Sequence, residues 1–302
     1  MSPIKISPKV KHALDSHSAI VALESAVITH GLPRPINYQV AVEVERVITD
    51  AGVVPATICI ANQQIQVGLT TDELKTLAND TNIRKVSTKD FGIALTTHIY
   101  GGTTVAGTIA IASQVGIQVF STGGIGGVHQ GSTFDVSADL FCLARTPILV
   151  VCSGAKSILD LPATIEVLES YGIPIIGYQT QDFPAFYSIH SGLKVDERVD
   201  SPQEVVSIAR AHWQAGNQSA VLITVPPPAS SAIDHLKMQS YLKTAVQDAS
   251  QKGIHGPATT PFLLQRLSEL SNGLSLQANR DLLIHNAEVA AEIAKTLALS
   301  KE

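Results

Sequence analysis

Residues 120–161 gather side chains whose types could do chemistry together. The stretch opens as FSTGGIGGVHQG, a glycine-rich loop with one histidine, His129. It continues through two carboxylates four positions apart, Asp135 and Asp139. The apolar run 148–152 follows and delivers a lone lysine, Lys156, inside Ser-Gly-Ala-Lys-Ser. Glycines let backbone N–H groups approach a phosphate closely and form an anion-holding nest. Two Asp at this spacing would share a face if they lay on one helix. At close range they repel unless a cation or a proton intervenes. All-oxygen ligation with few protein donors suits Mg²⁺ or Mn²⁺, and no His/Cys cluster has zinc spacing. Taken singly, each feature has an ordinary reading: a turn, a helix-start carboxylate, a solvated lysine. Their density in a chain with few charges is what argues for a site.

The elements that must position these groups are legible from hydrophobic period. Residues 148–152 read as a buried strand, and the periodic segment after Lys156 reads as a helix over 162–171. Lys156 therefore falls at the carboxyl end of a strand, where open α/β sheets place their ligands. Upstream, 19–23 is a short strand ended by Glu24, and Gly31, Pro33 and Pro35 make a loop. A helical stripe over 38–51 stops at Gly52. Strands 57–61 and 65–69 flank Asn62-Gln63-Gln64 as a hairpin, and 71–79 starts as a helix at Thr-Asp-Glu. Residues 85–91 read as a strand end or loop. A small-residue helix over 103–115 is entered through Gly101-Gly102, and strand 117–120 feeds the central loop. Strands at 173–178 and 220–225 bracket a helix at 203–215. From 232 the chain is mainly helical, with 275–299 the longest piece. Strands alternating with helices predict a single large α/β domain, three layers deep, with a mixed, partly parallel sheet. Pro226–Ser231 is the one candidate break and reads as a loop.

Composition narrows the function classes. Of 302 residues, 45% are hydrophobic and only 16% charged, which suits a largely buried sheet. The formal net charge is −5, and no Lys/Arg cluster suggests nucleic-acid binding. Three cysteines without a CxxC read as buried thiols in a reducing compartment. Residues 1–18 are polar and lack a signal-peptide core, and no apolar run reaches the roughly 18 residues of a membrane helix. A cytoplasmic protein without membrane partners is the expectation. The run Gly124-Ile-Gly126-Gly-Val-His129 lacks the third glycine of a dinucleotide fingerprint, and no GxxxxGK[ST] loop occurs.

The segments GGIGGVH, FDVSADL, SGAKSILDL and GYQT, with ALESAVITHGLP, KVSTKDF, GGTTVAGT, ATTPFLLQRL and SLQANRDLLIHNA, resemble the pseudouridine-5'-phosphate glycosidase, or indigoidine-synthase-A-like, family. The likeness spans about residues 8–298 and is far more specific than a glycine pattern. It implies reversible conversion of pseudouridine 5'-phosphate and water to uracil and ribose 5-phosphate. It also implies a site: Lys156 as Schiff-base nucleophile, Glu24 as proton donor and acceptor, and Lys85, Thr122 and His129 around the phosphate. Val105, Ser137, Ala138 and Asp139 would face the substrate, Asn279 would hold the uracil, and Asp135 would carry Mn²⁺. A homotrimer is implied as well. The chemistry gives the lysine a purpose. An ordinary glycosidase protonates a leaving heteroatom between two carboxylates; here the departing atom is carbon, and an imine at the sugar C1 supplies the electron sink. Two other readings stay open on the residues alone: a different Schiff-base lyase, such as an aldolase acting on a sugar phosphate, and a non-catalytic sugar-phosphate sensor.

Overall fold

Apolar residues on both faces of each short strand call for helices on both sides of the sheet. In strand Ile20–Leu23, Ile20 and Ala22 enter one core while Val21 and Leu23 enter the other. Strand Leu149–Cys152 divides the same way: Leu149 and Val151 face one core, Val150 and Cys152 the opposite one. This period-2 partition sets the three-layer architecture of the computed structural model, which describes residues 3–131, 135–254 and 259–300. Ser132 to Phe134, within the glycine-rich stretch and its FDVSADL motif, and Ala258 of ATTPFLLQRL lie outside the described residues.

The described strands form an 11-stranded mixed sheet and a separate two-stranded ribbon. A parallel run crosses the sheet in the order Val54–Ala61, Ile20–Leu23, Val119–Ser121, Leu149–Cys152, Val221–Thr224, Ile175–Tyr178, Glu197–Val199. Antiparallel pairing begins beyond Val54–Ala61, where the hairpin to Gln64–Val67 turns through Asn62 and Gln63 at φ 53° and 58°, the two positive φ values that a tight hairpin demands. Helices Ile36–Asp50, Pro202–Gln214 and Leu274–Leu299 cover one face. Pro8–Asp15, Val105–Gln114, Ala138–Leu143 and Leu161–Ser170 cover the other. The fold is the expected single α/β domain.

Strand order places the site. After Ile20–Leu23 the chain adds Val54–Ala61 on one side and later Val119–Ser121 on the other. Two connections diverging from neighbouring carboxyl ends leave a crevice there. Glu24 and Thr122 follow those two strands directly, and Ser153 follows the next.

The structure corrects several local expectations. Residues 101–103 form strand Gly101–Thr103, and the helix begins at Val105 under a Thr104 cap, with Gly107 N donating to Thr104 Oγ1 at 3.3 Å. It also adds elements that the sequence did not signal: strand Ile4–Ile6 and helix Pro8–Asp15 within 1–18, and a π-helical turn, Val27–Gly31, ahead of the expected loop, which occupies 32–35. Residues 84–94 carry strand Arg84–Val86, a 3₁₀ turn Thr88–Asp90 and a short helix Phe91–Ala94.

One buried amide ties the long C-terminal helix to the crevice. Asn286, 0% exposed, donates through Nδ2 to Thr122 O at 2.8 Å and exchanges bonds with Ser153 Oγ at 3.1 and 3.2 Å. Asn286→Ala should lower the unfolding free energy by about 1–3 kcal/mol, the penalty of an unsatisfied buried polar group. Urea unfolding of both proteins measures it; an unchanged midpoint and slope would show that the tie contributes nothing.

Candidate active site

At the crevice a cavity of about 250 Å³ opens, lined by all but one of the residues expected at the site: Glu24, Lys85, Val105, Thr122, His129, Ser137, Ala138, Asp139, Lys156 and Asn279. Asp135, the exception, does not line it. Chain distances between these residues exceed two hundred positions, so the sheet order and its helices assemble them.

Glu24 is the electrostatic centre. It is 6% exposed, and its Oε1 accepts a hydrogen bond from Thr122 Oγ1. Burial raises its pKa, against the opposing pull of the Lys156 charge and the Thr122 hydroxyl. A carboxyl so placed keeps its proton to higher pH than a free glutamate does. The bond engages the Thr122 hydroxyl with Glu24.

Lys156 is held by its backbone. Its N–H donates to Ile125 O at 3.1 Å, and Ala155 bridges Ile125 in parallel register. Gly154, at φ +81°, makes the turn out of the strand with no room for a side chain against Pro184 O. Three residues beyond Lys156, Leu159 pairs with His129 in the two-stranded ribbon, which brings the histidine back to the lysine loop. Lys85 enters from strand Arg84–Val86 and keeps solvent access. Partial burial of its ammonium group, then repulsion from Lys156, pull its pKa below the usual lysine value.

The two aspartates do not share a helix face. Asp135 lies in the chain ahead of helix Ala138–Leu143, which Ser137 caps, so no helix face joins them. Asp139, 6% exposed, accepts from Ala106 N on Oδ1 and from Gly126 N on Oδ2, both at 2.8 Å. It is a clamp between the start of helix Val105–Gln114 and the glycine loop. Gly126 permits the clamp, because a Cβ there would lie 2.8 Å from Asp139 Oδ2 and closer still to Ser137. The Gly126 amide therefore serves Asp139 and not an anion nest. Among the described residues no group of three or more His, Cys, Asp or Glu could hold a metal ion. Each Asp139 oxygen accepts one amide hydrogen bond and keeps a further lone pair.

Sequence reasoning missed His30, Ser87, Phe186 and Tyr187, which line the same cavity. Ser87 and His30 sat in the quoted segments KVSTKDF and ALESAVITHGLP without drawing notice. Burial and the Lys85 charge lower the His30 pKa, and its Nδ1 lies 2.7 Å from Thr29 Oγ1. Phe186, at φ +59°, packs edge-on against Tyr187 with ring centroids 4.7 Å apart. A Cβ on Gly124 would come within 2.6 Å of the Phe186 ring, so this glycine is needed for close approach. Asn279, expected on a helix surface by its spacing alone, is 6% exposed and faces the cavity. Cys59, Cys142 and Cys152 are buried free thiols, and burial pushes Cys59 and Cys152 up to about 12.

A buried carboxyl and two lysines at the carboxyl edge of a doubly covered sheet define a small-molecule site of the kind α/β enzymes carry. Residues 9–296 match the family described as indigoidine synthase A like protein, and the chain belongs to that family. It is 46% identical over 299 residues to the pseudouridine-5'-phosphate glycosidase of Herpetosiphon aurantiacus, covering 98% of this chain and 99% of the relative. The Geobacillus kaustophilus protein of the same name is 46% identical over 293 residues, covering 96% and 97%. Among solved structures, the prealnumycin C-glycosynthase AlnA in complex with ribulose 5-phosphate superposes with a TM-score of 0.91 at 38% identity, covering 99% and 98% of the two chains. An indigoidine synthase A-like protein from Thermotoga maritima gives 0.90 at 32% identity, with the same coverage. The chain is an enzyme of this family. No helix among its described residues is long and apolar enough to cross a membrane.

The raised pKa of Glu24 has a signed consequence. Its folded value lies above its unfolded one, so its contribution to stability is full in acid, below the unfolded value, and is lost as pH rises through the folded value. Above that window the ionised, buried carboxylate is a burden. Glu24→Gln should therefore unfold at higher denaturant than the parent at neutral and alkaline pH, with the gap closing towards pH 4. Unfolding free energies of both proteins across pH check this; a gap independent of pH would refute the burial argument.

Proposed function

We propose that the enzyme cleaves and forms the carbon–carbon glycosidic bond of pseudouridine 5'-phosphate, exchanging the nucleotide and water for uracil and ribose 5-phosphate. The observation that carries the reading is the buried Glu24 carboxyl in the same cavity as Lys156, with Lys85 beside them. The names of relatives that match over nearly the whole chain support the substrate.

The geometry suggests the following roles. Lys156 Nζ attacks C1', and the sugar-ring oxygen that leaves C1' takes the proton Glu24 holds. The nitrogen now bound to C1' gives its extra proton to the Glu24 carboxylate, its lone pair expels C5 of the base, and that proton passes from Glu24 to C5 as the C1'–C5 bond breaks. Water adds to the C1 iminium and returns Lys156 and the sugar aldehyde. Lys85 faces the phosphate with His129. Thr122 holds Glu24 in place, and Asn279 faces the base. Asp139 acts through the loop it clamps. Asp135 would be the protein donor to the expected Mn²⁺, which would supply a hard cation suited to oxygen ligands. Assembly as a homotrimer and a cytoplasmic location complete the proposal, and for these the family resemblance is the support.

Incubation with pseudouridine 5'-phosphate and Mn²⁺ should release uracil, which a sensor would not do and an aldolase specific for another sugar phosphate would not do. Borohydride with ribose 5-phosphate should fix a sugar-phosphate mass on Lys156 of the parent, and Lys156→Ala should fold yet neither turn over nor trap. Label on Lys85 or Lys89 instead would overturn the nucleophile.

Substrate choice tests the phosphate reading. Binding energy from this unreactive group positions C1' at Lys156, so unphosphorylated pseudouridine should be a very poor substrate. Lys85→Ala should lower kcat/KM for the nucleotide by about 1.5–3 kcal/mol, the scale of a hydrogen bond to a charged group. Its effect on the nucleoside should be much smaller. A four-way comparison of both proteins on both substrates reads the coupling; equal losses would assign Lys85 to the chemistry or the fold.

A further inference from the structure

Behind Glu24 lies a second, smaller cavity of about 30 Å³, which shares Glu24, Val27 and Thr122 with the first. Helix Ile36–Asp50 walls it through Asn37, Val40, Ala41 and Val44, and Thr57 of strand Val54–Ala61 also lines it. An ordered water needs roughly 10–15 Å³ and a few polar partners, so the volume admits one. Two side chains supply partners. Asn37 is 2% exposed, and its Nδ2 donates to Ile28 O at 2.9 Å and to Ala78 O at 2.8 Å. Two carbonyl acceptors fix which end of the amide is nitrogen. The buried Oδ1 is then an acceptor, and it has no hydrogen-bond partner among the described residues. A buried acceptor left unpaired is costly, and a water in the cavity would satisfy it. Thr57, 1% exposed, donates from Oγ1 to Glu45 Oε1 at 2.5 Å and keeps lone pairs to accept with. Sheet register sets Thr57 beside Leu23, the residue before Glu24.

Beyond Thr57 the path reaches the surface. Glu45 is partly exposed, and burial raises its pKa against the Thr57 hydroxyl and the charge of the exposed Lys9. Glu24 and Glu45 thus stand at the two ends, each keeping a proton to higher pH than a free glutamate does. We infer that a water held by Asn37 Oδ1 joins Glu24 to Thr57 and Glu45 as a proton relay, which exchanges the Glu24 proton with solvent from behind while substrate fills the first cavity. This rests on the reading of Glu24 as proton donor and acceptor. Such a water offers one hydrogen to Asn37 Oδ1, the other to Thr57 Oγ1, and a lone pair to protonated Glu24. Glu24 gives its proton to the water oxygen. The water passes one of its own to Thr57 Oγ1, and the Thr57 hydroxyl hydrogen goes to Glu45 Oε1. Glu24 is left ionised, Glu45 is protonated and releases the proton to solvent, and water and threonine end as they began. Nothing is oxidised or reduced. Run backwards, the relay supplies a proton to complexes that form with Glu24 ionised. Asn37, Thr57 and Glu45 do not line the first cavity; they act through Glu24, with Asn37 positioning the water.

The probe is uracil carrying deuterium at C5, given with ribose 5-phosphate in ordinary water. In the synthetic direction the C5 deuteron passes to Glu24, and reversal returns a hydrogen to C5. With the relay at work the deuteron is exchanged before reversal, so recovered uracil should lose label faster than pseudouridine 5'-phosphate forms. Thr57→Val keeps the side-chain shape and removes the hydroxyl. Glu45→Gln removes the acid from a partly exposed helix position. Each should cut the label lost per nucleotide formed at least fivefold. Thr57→Ser keeps the hydroxyl, loses a methyl group and should stay within twofold of the parent. A packing role for Thr57 predicts the reverse order, with serine the more harmful, and leaves the ratio unmoved in both. An unchanged ratio in either Thr57→Val or Glu45→Gln overturns the inference and leaves the proposed function standing. So does a parent that forms the nucleotide without excess loss of label. If Thr57→Val does not fold, Glu45→Gln decides. A parent that forms no nucleotide brings down the proposed function, and the inference with it.

Discussion

Burying the Glu24 carboxyl at the end of a central strand is the constraint around which the structure is arranged. Moving a charged group out of water is expensive unless partners compensate, and Glu24 has one hydroxyl donor, Thr122, and one nearby cation, Lys156. Both partners come from the next strands of the same parallel run. The divergence of connections between Ile20–Leu23 and Val119–Ser121 is thus what makes the charge tolerable as well as what opens the crevice. The compensation is incomplete, which is why the pKa rises. That incompleteness is useful, because a carboxyl wholly satisfied by donors would stay ionised and have no proton to give. Behind Thr122, the Asn286 amide ties the same crevice to the long C-terminal helix.

Asp139 illustrates the opposite solution. Each of its oxygens meets a backbone amide, one at the start of a helix and one in the glycine loop. A carboxylate so held is fixed in place. Two buried acids at one cavity thus sit in opposite environments, one with a single hydroxyl partner and one held by two amides.

What could be seen in the sequence followed from periodicity and from local chemistry. The strand before Lys156, the helix stop at Gly52 and the helix over 71–79 were all signalled within a few residues. The clustering of site residues in 120–161 was visible because the chain is poor in charge. Three kinds of feature were not visible. The pairing of Glu24 with Thr122 depends on strand order, which no local pattern encodes. The Asp135–Asp139 spacing suggested a helix face, yet Ser137 caps the helix between them, and capping beats spacing because a Ser at that position satisfies an orphan amide. His30 was hidden in a π-helical turn, a conformation with no compositional signature. Asn279 could be assigned only through family likeness, since an amide in a long helix gives no sign of which face it occupies until the helix is docked.

The two sides of the site are built to different tolerances. Around C1 the groups hang from strand ends and from a loop pinned by Asp139, Ile125 and Gly154, where a displaced side chain meets backbone within van der Waals distance. Around the base the walls are helix surfaces and a π-helical turn, with longer apolar side chains and space behind them. Packed strand termini resist adjustment, because each atom lost there leaves an unmade bond or a void. Side chains on helix faces exchange more freely, since a substitution alters shape without breaking backbone hydrogen bonds. The proposed cleavage of a carbon–carbon glycoside maps onto that division: its sugar end would be held by the sheet, and its base end by the helices.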